Sequence, residues 1–136
     1  MEPSPARFTA VERPEAWVST PEVEAIANGD AAGALVCGIP PQEFSGAAGR
    51  GHIRGSVNVP AGRLVDRETN TFLPAAELGA MFPDDKRIVT YCNGGIAAAA
   101  DALALVLAGH TNVALYDGSL NEWASDPARR LVTTMP

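Results

Sequence analysis

The most reactive side chain in the sequence stands where a strand gives way to glycine. Arg87-Ile88-Val89-Thr90-Tyr91 is rich in β-branched and aromatic residues and reads as a strand, and it runs directly into Cys92-Asn93-Gly94-Gly95. A helix is predicted from Ile96 to about Ala108, terminated by Gly109. In an open parallel sheet, ligands bind beyond the carboxyl ends of the strands, and Cys92 falls at such an end. Glycines at 94 and 95 let the backbone curl so that successive N–H groups point inward as an anion-binding nest. The helix behind the loop aims its positive end at the sulfur. Surroundings of this kind favour thiolate over thiol, and the thiolate is the nucleophile. Such a cysteine can attack, carry a group and stabilise the resulting anion, so neither a metal nor a cofactor is expected. The alternative is a small buried apolar cysteine, which would sit within the strand rather than at its glycine-rich exit.

Two chemistries use a cysteine loop of this kind. A cysteine phosphatase needs an Arg six positions after the Cys, to clamp phosphate bidentately. Here that position is Ala98, and no Arg or Lys lies between Asn93 and Ala108. Sulfur transfer asks less: the loop need only hold a persulfide, whose small terminal sulfur backbone N–H groups can stabilise. Cys92 is the candidate catalytic residue, and Asn93, Gly94, Gly95, Ile96 and Ala97 are candidate substrate-binding positions.

The elements around the loop suit this placement. Ala16–Ser19 is a short strand candidate, and Thr20-Pro21-Glu22 opens a helix, with Thr20 as its cap, that Asn28-Gly29 ends. Ala34–Cys37 is a continuously apolar run, as expected of a strand buried on both faces. A glycine-rich loop through Gly46, Gly49, Gly51 and Gly55 follows, then a brief strand at Ser56–Val59. Residues 61–73 read as polar and irregular, and Pro74–Leu78 opens another short helix. Val113–Tyr116 is the last strand, and a final short helix begins at Ser119. This alternation predicts an α/β fold: a small, open, mainly parallel sheet flanked by helices. Residues 1–15, with Pro3, Pro5 and Pro14, read as an extended arm or linker, and 16–136 as one domain.

Composition narrows the function. The 136 residues carry 10 Lys+Arg against 16 Asp+Glu, a net charge of -6, which argues against nucleic acid and against a polybasic membrane patch. Two cysteines make neither a disulfide framework nor a zinc site. The most apolar stretch, Ile96 to Ala108, is too short for a bilayer, which needs about 20 residues, and it contains Asp101. No targeting segment is read at the N-terminus, and a cytoplasmic location is expected because free thiols persist there.

Four stretches make the sequence resemble a rhodanese-homology domain. Gly51–Pro60 matches the family's GHI-x-GA/S-x-N-x-P segment, and Ile88–Cys92 its strand into the active loop. Gly109–Val113 matches the G-x-x-N-V turn, and Tyr116–Trp123 is similar to YDGSWxEW. The resemblance is greatest to the C-terminal, catalytic half of two-domain thiosulfate and mercaptopyruvate sulfurtransferases. It implies a sulfurtransferase in which Cys92 becomes a persulfide. The sulfur would come from a small-molecule donor such as thiosulfate or 3-mercaptopyruvate and pass to cyanide or another thiophilic acceptor. It further implies a possible second rhodanese-like domain or protein acceptor as partner. The other function class is a catalytically weak rhodanese-like module that binds a partner or senses redox state.

The departures are chemical. The family's Asp-x-Arg after its second strand reads Cys37-Gly38-Ile39, the basic loop residue is Asn93, a usual Arg is Glu43, and a frequent Trp is Leu120. Arg50, Arg54 and Arg63 are candidates to restore positive charge, with Arg54 first among them as a substrate-binding residue; the alternative is a solvated loop. His52 is expected to fix its own turn rather than act as a base, and Asp101 either bonds a loop or faces solvent. Cys37 ends a strand predicted to neighbour that of Cys92. It is either a packing residue or a resolving thiol for an internal disulfide.

Overall fold

The computed structural model describes residues 1–134. Four strands form one sheet: β1 (Ala34–Cys37), β2 (Val57–Asn58), β5 (Ile88–Tyr91) and β6 (Val113–Leu115), in the order β2-β1-β5-β6. Every pairing in it is parallel. A two-stranded antiparallel hairpin, β3 (Val65–Asp66) with β4 (Thr71–Phe72), lies apart from it. The α/β architecture expected from the alternating pattern is the one observed.

Side-chain alternation divides the core. Leu35, Cys37, Val89 and Tyr91 pack on one face with Val23 of α1 (Thr20–Asn28) and Leu120 and Trp123 of α5 (Ser119–Trp123). Val36 and Ile88 point the other way, onto Leu78 of α3 (Ala75–Met81) and Ala104 and Leu105 of α4 (Ile96–Leu107). The alanine run lets α4 lie close to the sheet: Ala98 and Ala104 are fully buried, and the Thr90 hydroxyl donates to the Ala98 carbonyl at 2.9 Å.

Several local expectations change. Ala16–Ser19 is not a strand. Pro14–Ala16 makes a 3₁₀ turn, and Trp17 forms only an isolated bridge to Leu115. The residue capping α1 is Ser19, whose N–H and hydroxyl both donate to Glu22 Oε2 at 2.7 and 2.8 Å. Thr20 is instead buried, with its hydroxyl 2.7 Å from the Tyr116 hydroxyl and donating to Glu122 Oε1 at 2.6 Å. A short helix, α2 (Pro41–Ser45), precedes the glycine-rich loop, and the supposedly irregular 61–73 segment contains the β3–β4 hairpin. Two-residue strands are too short to show alternation. The first 13 residues carry no helix or strand and are exposed. Among the described residues no helix is long and apolar enough to cross a membrane.

Candidate active site

The sheet order creates the crevice. From β1 the chain moves to one edge, at β2, and from β5 to the other, at β6, so β1 and β5 are neighbours whose connections diverge. That is the switch point at which open parallel sheets bind ligands. Gly38 to Pro40 leave β1 there and Cys92 to Gly95 leave β5. Gly38, Ile39, Pro40, Cys92, Asn93 and Gly94, together with Ile96 and Ala97, line a pocket of about 290 Å³.

Cys92 is only 3% exposed, and its Sγ accepts the Gly95 N–H at 3.0 Å. Its own backbone is held from α5: the Cys92 N–H donates to Ser119 Oγ, and the Cys92 carbonyl accepts the Leu120 N–H, both at 3.0 Å. The Ser119 hydroxyl donates to the Tyr116 carbonyl at 2.8 Å, and the residue has a φ of 54°. Asn121 N–H continues the clasp onto the Asn93 carbonyl at 3.0 Å. The two loop glycines are not equivalent. Gly95 has φ 98°, and a Cβ there would lie 2.6 Å from Asp117 Oδ1 and 2.9 Å from its carbonyl. A Cβ on Gly94 would meet only Asn121 Nδ2, at 3.3 Å. Ile96 stands exposed at the rim and Ala97 is half-buried.

The cation nearest the loop comes from outside it. Arg50 Nη2 donates to Asn93 Oδ1 at 3.2 Å and to Asn121 Oδ1 at 2.9 Å. The Asn93 amide donates in turn to Glu43 Oε2 at 3.0 Å. Arg54 does not serve the loop: its guanidinium donates to Asn28 Oδ1 at 3.2 Å, and it lines a separate cleft with Glu24, Trp123 and Arg129. Ile53 is fully buried beside it, which turns Arg54 outward to the end of α1. His52 fixes its turn, its Nδ1 2.8 Å from the Phe44 carbonyl and its ring stacked on Phe44 at 3.7 Å.

The family of rhodanese-like domains matches residues 26–126. The chain belongs to that family. This rhodanese-like domain is 42% identical over 95 residues to thiosulfate/3-mercaptopyruvate sulfurtransferase 2 of Arabidopsis thaliana, covering 66% of this chain and 27% of that protein. It is 33% identical over 128 residues to the 3-mercaptopyruvate sulfurtransferase of Escherichia coli K12, covering 87% of this chain and 45% of that one. The crystal structure of SseA from Escherichia coli superposes with a TM-score of 0.69 at 31% identity, over 83% of this chain and 45% of the other. EanB in complex with ergothioneine shares the fold, with a TM-score of 0.79 at 21% identity over 91% of this chain and 33% of EanB. The chain thus spans between a quarter and a half of the length of these proteins.

Two buried groups complete the surroundings of the rhodanese-like loop. Cys37 pairs in register with Tyr91, so it faces α1 and α5. Both cysteines are free, and burial pushes the Cys37 thiol up to about 12. A thiol that stays protonated at neutral pH is a poor attacking group, which favours packing over resolving. Asp101 does not face solvent. It is fully buried, with no hydrogen bond to either carboxylate oxygen, and burial raises its carboxyl to about 8. A Cβ on Gly38 would lie 2.5 Å from Asp101 Oδ2. The Asp101 carboxyl of α4 thus packs against Gly38, in the space that the missing Cβ leaves.

Proposed function

We propose that the domain is a sulfurtransferase that works through a persulfide on Cys92, with thiosulfate or 3-mercaptopyruvate as donor. The observation that carries this reading is the setting of Cys92 Sγ: it accepts the Gly95 N–H at 3.0 Å, at the mouth of the twelve-residue helix α4, in a pocket whose lining holds no charged side chain. Such a pocket stabilises an extra sulfur and its negative charge without a cationic side chain in the loop.

With thiosulfate, the Cys92 thiolate attacks the outer sulfur. The S–S bond of the donor breaks and sulfite leaves with the bonding pair. Cyanide or another thiophile then attacks the terminal sulfur of the persulfide, and Cys92 departs as thiolate. With 3-mercaptopyruvate the C–S bond breaks instead, and the pyruvate enolate takes up a proton. Arg50 sits beside the loop to attract either anion, and Ile96, Ala97, Gly94 and Asn93 border the bound donor. A reducing, cytoplasmic setting suits a reaction that needs Cys92 free.

Intact mass after treatment with thiosulfate or 3-mercaptopyruvate tests this. One added sulfur, removable by reductant and absent from Cys92→Ser, is expected. Cys92→Ser should also lose transfer to cyanide while its circular dichroism and melting stay those of the parent. Full turnover in that variant would overturn the mechanism. Wild-type protein that never gains sulfur would point to the weakly active module. Glu43, whose carboxylate sits against the loop amide, is the feature that favours that second reading.

A further inference from the structure

The pocket at Cys92 does not end at the loop. Gly38, Pro40 and Ala97 also line a second cleft, of about 470 Å³, which runs away from Cys92 between Pro40-Pro41-Gln42 and Pro60-Ala61-Gly62. Its walls are proline, glycine and alanine, which offer shape but little chemistry. The polar groups are Gln42, Arg63 and Arg67.

Local structure sets the backbone at both arginines, and their exposed side chains are free of acids. Arg63 closes the 3₁₀ turn Ala61–Arg63, its N–H bonded to the Pro60 carbonyl at 2.9 Å. Arg67 opens the β3–β4 turn and folds back, so that its Nη2 lies 3.8 Å from where a Gly62 Cβ would be. Among the described residues neither arginine forms an ion pair. The acids closest in sequence are turned elsewhere: the Asp66 carboxylate accepts the Glu68 N–H at 2.8 Å, and neither Asp66 nor Glu68 lines the cleft. Two guanidinium groups without an ion pair thus line one cleft. Guanidinium forks match carboxylates bidentately.

We propose that Arg63 and Arg67 form a carboxylate-binding subsite for the sulfur acceptor, a low-molecular-weight thiol whose carboxylate lies several atoms from its sulfur. Cys92 does not line this second cleft, so a ligand that meets both the sulfur and the arginines has to extend through the two, and the subsite is assigned to the longer acceptor rather than to the donor. The acceptor thiolate attacks the terminal sulfur of the Cys92 persulfide. A new S–S bond forms, the Cys92–sulfur bond breaks with its electron pair on Cys92, and the acceptor leaves as its own persulfide. This transfer rests on the persulfide reading of Cys92, but the subsite can be tested without it.

Glutathione serves as the probe thiol, with uncharged 2-mercaptoethanol for comparison. In the Arg63→Ala/Arg67→Ala double variant the ratio of kcat/KM for glutathione to that for 2-mercaptoethanol should fall about tenfold or more, as loss of charge-assisted hydrogen bonds implies. An unchanged ratio overturns the proposal. Calorimetric titration of S-methylglutathione into Cys92→Ser gives a readout independent of turnover. Binding that disappears when both arginines are replaced supports the subsite, even if no donor ever loads Cys92 and the persulfide reading fails. No binding to Cys92→Ser, or binding indifferent to the two arginines, overturns it. Single lysine variants at 63 and 67, which keep the charge but lose the fork, should retain part of the affinity.

Discussion

Replacing Asp101 with Asn should free the protein's stability from a steep dependence on pH. Asp101 is fully buried, neither carboxylate oxygen has a hydrogen-bond partner, and its carboxyl ionises only at about 8. In the unfolded chain the same group ionises near the ordinary Asp value of about 3.9. Between those two pH values the folded protein keeps a proton that the unfolded chain has released. Folding then takes up a proton, so stability falls as pH rises. The contribution is fully present below about pH 4 and its loss is complete once pH has passed the folded value of about 8. Each pH unit in that window is worth about 1.4 kcal/mol. Going from pH 4 to pH 7 therefore costs roughly 4 kcal/mol, against a total of about 5–15 kcal/mol for a typical domain.

The amide of the Asp101→Asn variant has no proton to lose. It would also lack partners, but that cost is the same at every pH and cancels when the two proteins are compared across pH. The other titrating groups are common to both and cancel as well. Urea denaturation at pH 4, 5, 6, 7 and 8 measures the difference. The gap between Asp101→Asn and wild type should move in the variant's favour by roughly 4 kcal/mol between pH 4 and pH 7 and level off past about pH 8. Parallel pH profiles would refute the reasoning. They would mean that the carboxyl ionises in the folded protein as easily as in the unfolded chain, with a donor or water beside it.

The remaining expectations concern the loop. Gly95→Ala should cost several kcal/mol of stability and most activity, because a Cβ would meet Asp117 at 2.6 Å and φ is 98°. Gly94→Ala meets one flexible amide at 3.3 Å and should cost within about 1 kcal/mol; thermal melts and cyanide assays of the pair decide whether the asymmetry is real. Glu43→Gln keeps an acceptor for the Asn93 amide but removes a negative charge beside the loop. It should lower KM for thiosulfate about fivefold, the value of about 1 kcal/mol of relieved repulsion, and an unchanged KM would show that donor charge is not limiting. Mild peroxide followed by non-reducing peptide mapping should find Cys92 oxidised and Cys37 still alkylatable after unfolding. A Cys37–Cys92 disulfide would restore the resolving role.

What could be read from the sequence was whatever lies close together along it. Thr90 to Ile96 places a strand end, a nucleophile and a helix start in seven consecutive residues, so the loop was legible from local propensity and glycine alone. The sheet followed from apolar runs at 34–37, 88–91 and 113–115, each long enough to declare itself. Charge at the site was not legible, because it depends on how distant segments meet. Arg50 and Arg54 are four residues apart on one loop and look interchangeable. Only the burial of Ile53 between them, and the anchoring of His52 to Phe44, sends one toward Asn93 and the other to Asn28. Asp101 was harder still. Nearly every residue around it in α4 is apolar, so helical period could not say which face the acid occupies. Its place is set by Gly38, whose missing Cβ leaves room for a carboxyl and whose carbonyl and N–H are already taken by Ala61 and Tyr91. A carboxyl enclosed there gains no donor from the fold, so it keeps its proton. A charged Asp101 would stand against Gly38, a residue that lines both clefts, and would oppose an anion held in either.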